Sequence, residues 1–243
     1  MIDSHAHLSD RFAQEVDLKP LVAVVLSASS QQDSLDNLRL AQNQAKLYPA
    51  VGIHPTEVAS KVEDQLSFLE NLLAKYPQIV AVGECGLEFL EPFDQQKQEE
   101  LFRGQIQLAQ KFQKPLIIHS REASDRLPEI LGEYQGLRGV IHCYTGGKKR
   151  VKRFLNQENE WYFGLDGNLT YEVGLEQVAL EIPKNRLLLE TDSPFLTPIP
   201  HRGETNQPKY VKYIYEKMAE IWGLSFEETE EIIDGNVARL FEI

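Results

Sequence analysis

The sequence predicts an α/β protein built as a closed (β/α)8 barrel, and three observations lead there. Eight short apolar or β-branched runs recur along the chain, each followed by a polar, helix-like stretch. Most of these runs (VAVVL, LIIH, LLLETD) are continuous instead of alternating, as strands of a parallel sheet covered on both faces should be. The 243 residues divide into about 30 per unit, and the whole is close to the roughly 250 residues of a TIM barrel.

The expected strands are Ile2–His7, Leu21–Ala28, Ala50–His54, Ile79–Glu84, Pro115–His119, Gly139–His142, Trp161–Leu165 and Arg186–Asp192. Phe93–Gln113 reads as a helix, because Leu101, Ile106, Leu108 and Phe112 form one broad apolar face and Pro115 stops it before strand five. Leu8–Pro20 is short and mixed, so the first helix is expected to be reduced or lost. Pro208–Ile243 carries two further helical patterns separated near Gly223-Leu224-Ser225, which makes the expected fold a TIM barrel with extra C-terminal helices. No linker or composition break divides the chain, so residues 1–243 read as one domain.

Thirty-seven acidic against 25 basic residues give a net charge of −12, which excludes a strongly basic domain held on nucleic acid by phosphate contacts. It does not exclude nucleic acid as a substrate. A hydrophobic fraction of 42% argues against disorder. The longest apolar stretch, around Leu21 to Leu26, is far below the roughly 18 residues of a membrane span, and the first residues lack a secretory pattern, so a cytoplasmic protein away from membranes is expected. Cys85 and Cys143 cannot form a disulfide framework. Each follows a candidate ligand, so both are expected to face the helices as small apolar residues.

Five of the six histidines fall at expected strand ends: His5 and His7, His54, His119 and His142, with only His201 outside. Barrel enzymes place their chemistry at that face. His5 and His7 are two apart on a strand, so their imidazoles share a side and can take one metal ion. Glu84 ends strand four beside Gly83 and Gly86, and Glu190 and Asp192 share one face of strand eight. Carboxylates in apolar strands need partners. Imidazoles and carboxylates converging from five strands fit a two-metal site better than scattered ion pairs.

These motifs resemble the TatD family of metal-dependent deoxyribonucleases, within the amidohydrolase-like superfamily. The matching segments are Ile2–Leu8 (IDSHAHL), Val51–Pro55 (VGIHP), Val82–Leu87 (VGECGL), Pro115–Arg121 (PLIIHSR), His142–Gly146 (HCYTG) and Leu189–Leu196 (LETDSPFL), followed by Arg202–Asn206 and Gly235–Phe241. The resemblance implies one metal held by His5, His7, Glu84 and Asp192, and a second held by His119, His142 and the same bridging Glu84. The cofactors would be two divalent ions, with zinc, manganese and magnesium all open. Three features depart from the family pattern: Glu88 replaces the aspartate of GExGLD, Thr56 stands where many members have a histidine after GIHP, and the segment after strand one is shorter than usual.

The implied reaction is phosphodiester hydrolysis by a water activated between two ions, on DNA ends, single strands or a small phosphodiester, without an obligate protein partner. Glu84 and Asp192 are the candidate catalytic residues, Asp192 either as proton acceptor or as ligand alone. Arg121, Arg202 and His54 are candidates for substrate contact, with ion pairing as the other reading of the arginines. Lys148, Lys149 and Arg150 begin a helix after strand six and serve either as a solvated face or as a DNA-backbone contact. The alternatives are a hydrolase of esters or amides, such as an aminoacyl-tRNA deacylase, and a non-catalytic metal- or nucleic-acid-binding scaffold.

Overall fold

A computed structural model describes residues 1–8, 16–123 and 125–243. Among them, eight strands follow one another around a parallel sheet in sequence order. They are β1 (Ile2–Ala6), β2 (Ala23–Leu26), β3 (Leu47–Val51), β4 (Ala81–Glu88), β5 (Leu116–Arg121), β6 (Arg138–Ile141), β7 (Glu160–Leu165) and β8 (Leu187–Leu189). The ring closes through the bridge Ala6 to Ser193, with His7 N–H donating to Ser193 O at 2.8 Å and Asp192 N–H to His5 O at 3.0 Å. This is the TIM barrel expected from the run pattern. Most of the segment in which the first helix was expected to be reduced or lost, residues 9–15, lies outside the described residues.

Helices α1 (Gln31–Asn43), α2 (Val62–Lys75), α3 (Gln95–Phe112), α4 (Arg126–Gly132), α5 (Lys148–Leu155) and α6 (Leu175–Ala179) alternate with the strands, and α7 (Val211–Trp222) and α8 (Phe226–Phe241) follow the barrel. Their ends have chemical causes. The Asp94 side chain caps α3 by accepting from the Gln96 and Lys97 N–H groups, and Gln113 in the left-handed region ends it before Pro115 has to. Ser225 and Glu228 form a reciprocal capping box that starts α8.

Two apolar clusters result from the alternation of side chains along each strand. Val24, Leu26, Val51, Val82, Leu116 and Ile118 pack outward with Leu69, Leu101, Phe102 and Ile130 of the helices. Ile2, Ala23, Val25, Ala50, Ala81, Ile117, Val140, Tyr162 and Leu188 fill the barrel floor together with Val237, Leu240 and Phe241 of α8. The C-terminal helix therefore closes the floor, leaving the opposite mouth for polar side chains. None of the described helices is long and apolar enough to cross a membrane.

Most strand limits shift from the sequence reading, and two of the shifts bear on the barrel mouth. β4 runs to Glu88, because Gly86, Leu87 and Glu88 stay paired with His119, Ser120 and Arg121 of β5. β8 stops at Leu189, and Asp192 beyond it takes φ +55°, a left-handed conformation that no strand continues through.

Candidate metal centre

β1 delivers His5 and His7 to one side of the barrel, and their Nε2 atoms stand 3.0 Å apart. Glu84 Oε2 lies 3.7 Å from His5 Nε2 and 3.4 Å from His7 Nε2. Asp192 Oδ1 comes within 3.3 and 3.5 Å of the same two nitrogens. Four donor side chains thus converge on one point from β1, β4 and the segment after β8.

The other oxygen of Glu84 faces a second group. Its Oε1 is 2.9 Å from His119 Nδ1 and 2.7 Å from His142 Nε2, and those two nitrogens are 3.3 Å apart. The His5 ring stacks on the His142 ring at 4.2 Å, which joins the two groups. Glu190 supports the second from behind: it accepts the Cys143 N–H at 2.6 Å and stands 3.5 Å from His142 Nδ1.

The electrostatics follow from the burial of four rings with two carboxylates. Burial disfavours charge on Glu84, yet the neighbouring His142 and hydrogen bonds to His119, His142 and His7 hold its carboxyl well below the usual range. Burial likewise opposes charge on His7, but its bonds to Asp192 and Glu84 prevail and raise it to about 10. Asp192 is lowered despite burial, through hydrogen bonds from His5 and His7. Without a cation, protons on the rings supply the positive charge that the carboxylates require. A metal ion would supply it in their place, and the nitrogen and oxygen donors suit one. His5 with His7 and Glu84, and Glu84 with His119 and His142, each offer ligand atoms close enough to share an ion.

A cavity of about 590 Å³ opens above the centre, lined by His7, His54, Glu84, His119, His142 and Asp192, with Glu88, Arg121 and Phe195 among its other walls. His54 Nε2 is 3.6 Å from Glu84 Oε1, and its Nδ1 is turned away to accept the Thr56 N–H at 3.2 Å. Burial lowers His54 to about 4, so it is a neutral ring. Arg121 stands on the rim, 65% exposed, with Nη1 3.8 Å from Glu88 Oε1.

The remaining expected contacts lie outside this cavity. Arg202 lays its guanidinium 3.9 Å over the Tyr171 ring. Lys148 faces Glu181 at 3.4 Å, Lys149 is exposed and Arg150 is half-buried at the start of α5. Cys85 is buried in the outward cluster as expected. Cys143 is not: it takes φ +44° just past β6, which turns its side chain to the cavity wall. Sequence reasoning also missed the contact of Glu88 with His119. The even spacing of Glu84, Gly86 and Glu88 carried that signal, but only for a strand extending past Glu84.

A parallel barrel with imidazoles and carboxylates gathered at its mouth fits a metal-dependent hydrolase. The profile of the family described as TatD related DNase matches residues 2–242, and the chain belongs to that family. It is 34% identical to the uncharacterized metal-dependent hydrolase YabD of Bacillus subtilis, over 100% of this chain and 99% of that one. It is 30% identical to the 3′-5′ ssDNA/RNA exonuclease TatD of Salmonella typhimurium, over 90% of this chain and 87% of that one. The structure of YjjV, a TatD homologue of Escherichia coli, superposes with a TM-score of 0.92 at 26% identity, covering 100% and 98% of the two chains. The protein is accordingly a metal-dependent hydrolase.

Proposed function

We propose that the chain is a phosphodiesterase acting on single-stranded nucleic acid or its ends, with two divalent ions as cofactors. The observation that carries this reading is the division of Glu84, whose two oxygens face two separate groups of imidazoles at the base of an open cavity. His5, His7, Asp192 and Glu84 would hold one ion, and His119, His142 and Glu84 the other. When bound, such a pair makes water a nucleophile near neutral pH and clamps both oxygens of an in-line displacement.

The protein's own groups do the rest. Asp192, lowered and therefore ionised, borders the cavity and accepts a proton there. His54, neutral and with Nδ1 already accepting, presents Nε2–H to an anionic substrate oxygen. Arg121 reaches from the rim for a further phosphate oxygen. The relative named as a single-strand exonuclease supports this substrate class.

The test is turnover by protein stripped with a chelator and reloaded with zinc, manganese or magnesium. Substrates are single-stranded and duplex oligonucleotides and an aminoacyl ester, with Glu84→Ala as control. The expected result is metal-dependent release of nucleotides from single strands, lost by at least about a hundredfold in Glu84→Ala. Turnover of the ester without the oligonucleotides would replace this reading by the ester-hydrolase alternative. No chelator-sensitive turnover on any substrate would leave a binding scaffold.

A further inference from the structure

Glu88 ends β4 only 7% exposed, and the two ligand groups do not account for it. Its Oε2 lies 2.9 Å from His119 Nε2, while His119 Nδ1 faces Glu84 and His142. The two nitrogens of that ring are divided between two tasks. Both ring nitrogens thus face a carboxylate oxygen; with an ion at Nδ1 that nitrogen would give its lone pair, and the one proton left on the ring would sit on Nε2, toward Glu88.

Glu88 is itself held in place. The fully buried Gln98 of α3 clamps its backbone twice, Oε1 accepting from Glu88 N–H at 2.9 Å and Nε2 donating to Glu88 O at 2.8 Å. This carboxylate is therefore set by two elements. It also stands at the position where the GECGLE stretch departs from the family pattern.

His54, Glu88 and His119 bring ligand-type atoms within 4.8 Å of one another, so a third metal site has to be weighed. The tautomers decide against it. His54 Nδ1 takes the Thr56 N–H, which puts the proton of the neutral ring on Nε2, and an ion at His119 Nδ1 would leave the proton of that ring on Nε2, facing Glu88. Neither ring has a free lone pair to give a third ion.

We propose that Glu88 is a positioning residue: by accepting the Nε2 proton of His119 it fixes the tautomer and rotation of that ring, and so strengthens ion binding by His119, His142 and Glu84 alone. This rests on the two-ion reading above. Outer partners of metal-bound histidine are worth about 10- to 100-fold in metal affinity.

The experiment titrates chelator-stripped protein with zinc against a chromophoric competitor and counts ions per chain by elemental analysis. Wild type should hold two ions. Glu88→Ala should weaken one of them by about 10-fold or more and leave the other unchanged. Glu88→Gln is isosteric and still accepts through Oε1, so it should recover most of that loss and stay within about threefold of wild type, a neutral hydrogen bond being weaker than a charge-assisted one. Imidazole 15N spectra of the zinc-loaded protein should show His119 protonated at Nε2 in wild type and Glu88→Gln. A fall of about 10-fold or more in Glu88→Gln, or a His119 ring not protonated at Nε2, overturns the proposal, and neither measurement depends on Glu88→Ala folding. Two ions bound at wild-type strength by Glu88→Ala sink it while sparing the two-ion reading. Three ions in wild type, one of them lost in Glu88→Ala, replace it by a third site. Fewer than two ions in wild type sink both.

Discussion

Asp192 adopts φ +55° beyond the end of β8, and by that turn swings its carboxylate against His5 and His7. Asparagine tolerates the same backbone, so Asp192→Asn isolates the charge. Turnover is expected to fall by about a hundredfold or more. Metal analysis of the variant then separates its two roles: an intact ion content assigns proton transfer, and a lost ion assigns ligation. Asp166 gives a second prediction. Burial pushes its carboxyl from 3.8 up to about 7, against the opposing hydrogen bond from the Cys143 side chain. Between those values the folded chain keeps a proton that the unfolded chain has released, so this contribution to stability is full below about 4 and lost as pH rises to about 7. Urea midpoints of metal-stripped protein should decline over that window in wild type and less steeply in Asp166→Asn; identical slopes would refute the assignment. His5 and His7 could be read from spacing alone, since two positions along a strand share a side. Glu88 could not, because its partner comes from β5 and the pairing register is a tertiary fact.

At the scale of elements, β4 and β5 approach so closely that Gly86 is required. It holds φ +136°, and a Cβ there would lie 2.1 Å from the carbonyl oxygen of His119. Gly86→Ala should cost roughly 3 kcal/mol, from backbone strain together with overpacking. Gly136→Ala is the comparison: φ is +69°, nothing lies within 4 Å, and strain alone should cost about 1 kcal/mol. Equal denaturation midpoints for the two variants would contradict the close-approach argument. Order and number of the strands were readable because a strand buried on both faces is apolar throughout. Their ends were not. A run interrupted by Glu84 and Gly86 looks finished, yet Cys85 and Leu87 still pack outward and the pairing continues. Conversely, LLLETD looks like one strand, although its last carboxylate sits in a left-handed turn.

For the molecule as a whole, the net charge of −12 leaves little general attraction for a polyanion. Lys148, Lys149 and Arg150 begin α5 just beyond β6, on the same end of the barrel as the centre. Replacing all three by glutamine should weaken binding of a long single strand and lower its salt slope by about 2, while a small phosphodiester is turned over at the wild-type rate. Equal losses on both substrates would place these residues in folding instead of binding.

The side chains of the centre are also spread through nearly the whole chain, from His5 in β1 to Asp192 beyond β8, and α8 seals the floor beneath them. Assembly order therefore governs when the site exists. On the ribosome, His5 and His7 emerge first but remain an isolated pair until Glu84 and then Asp192 follow. The barrel closes only when the segment around Ser193 reaches β1. A nascent chain shorter than that has no finished cage for an ion, so completion of the centre reports completion of the fold.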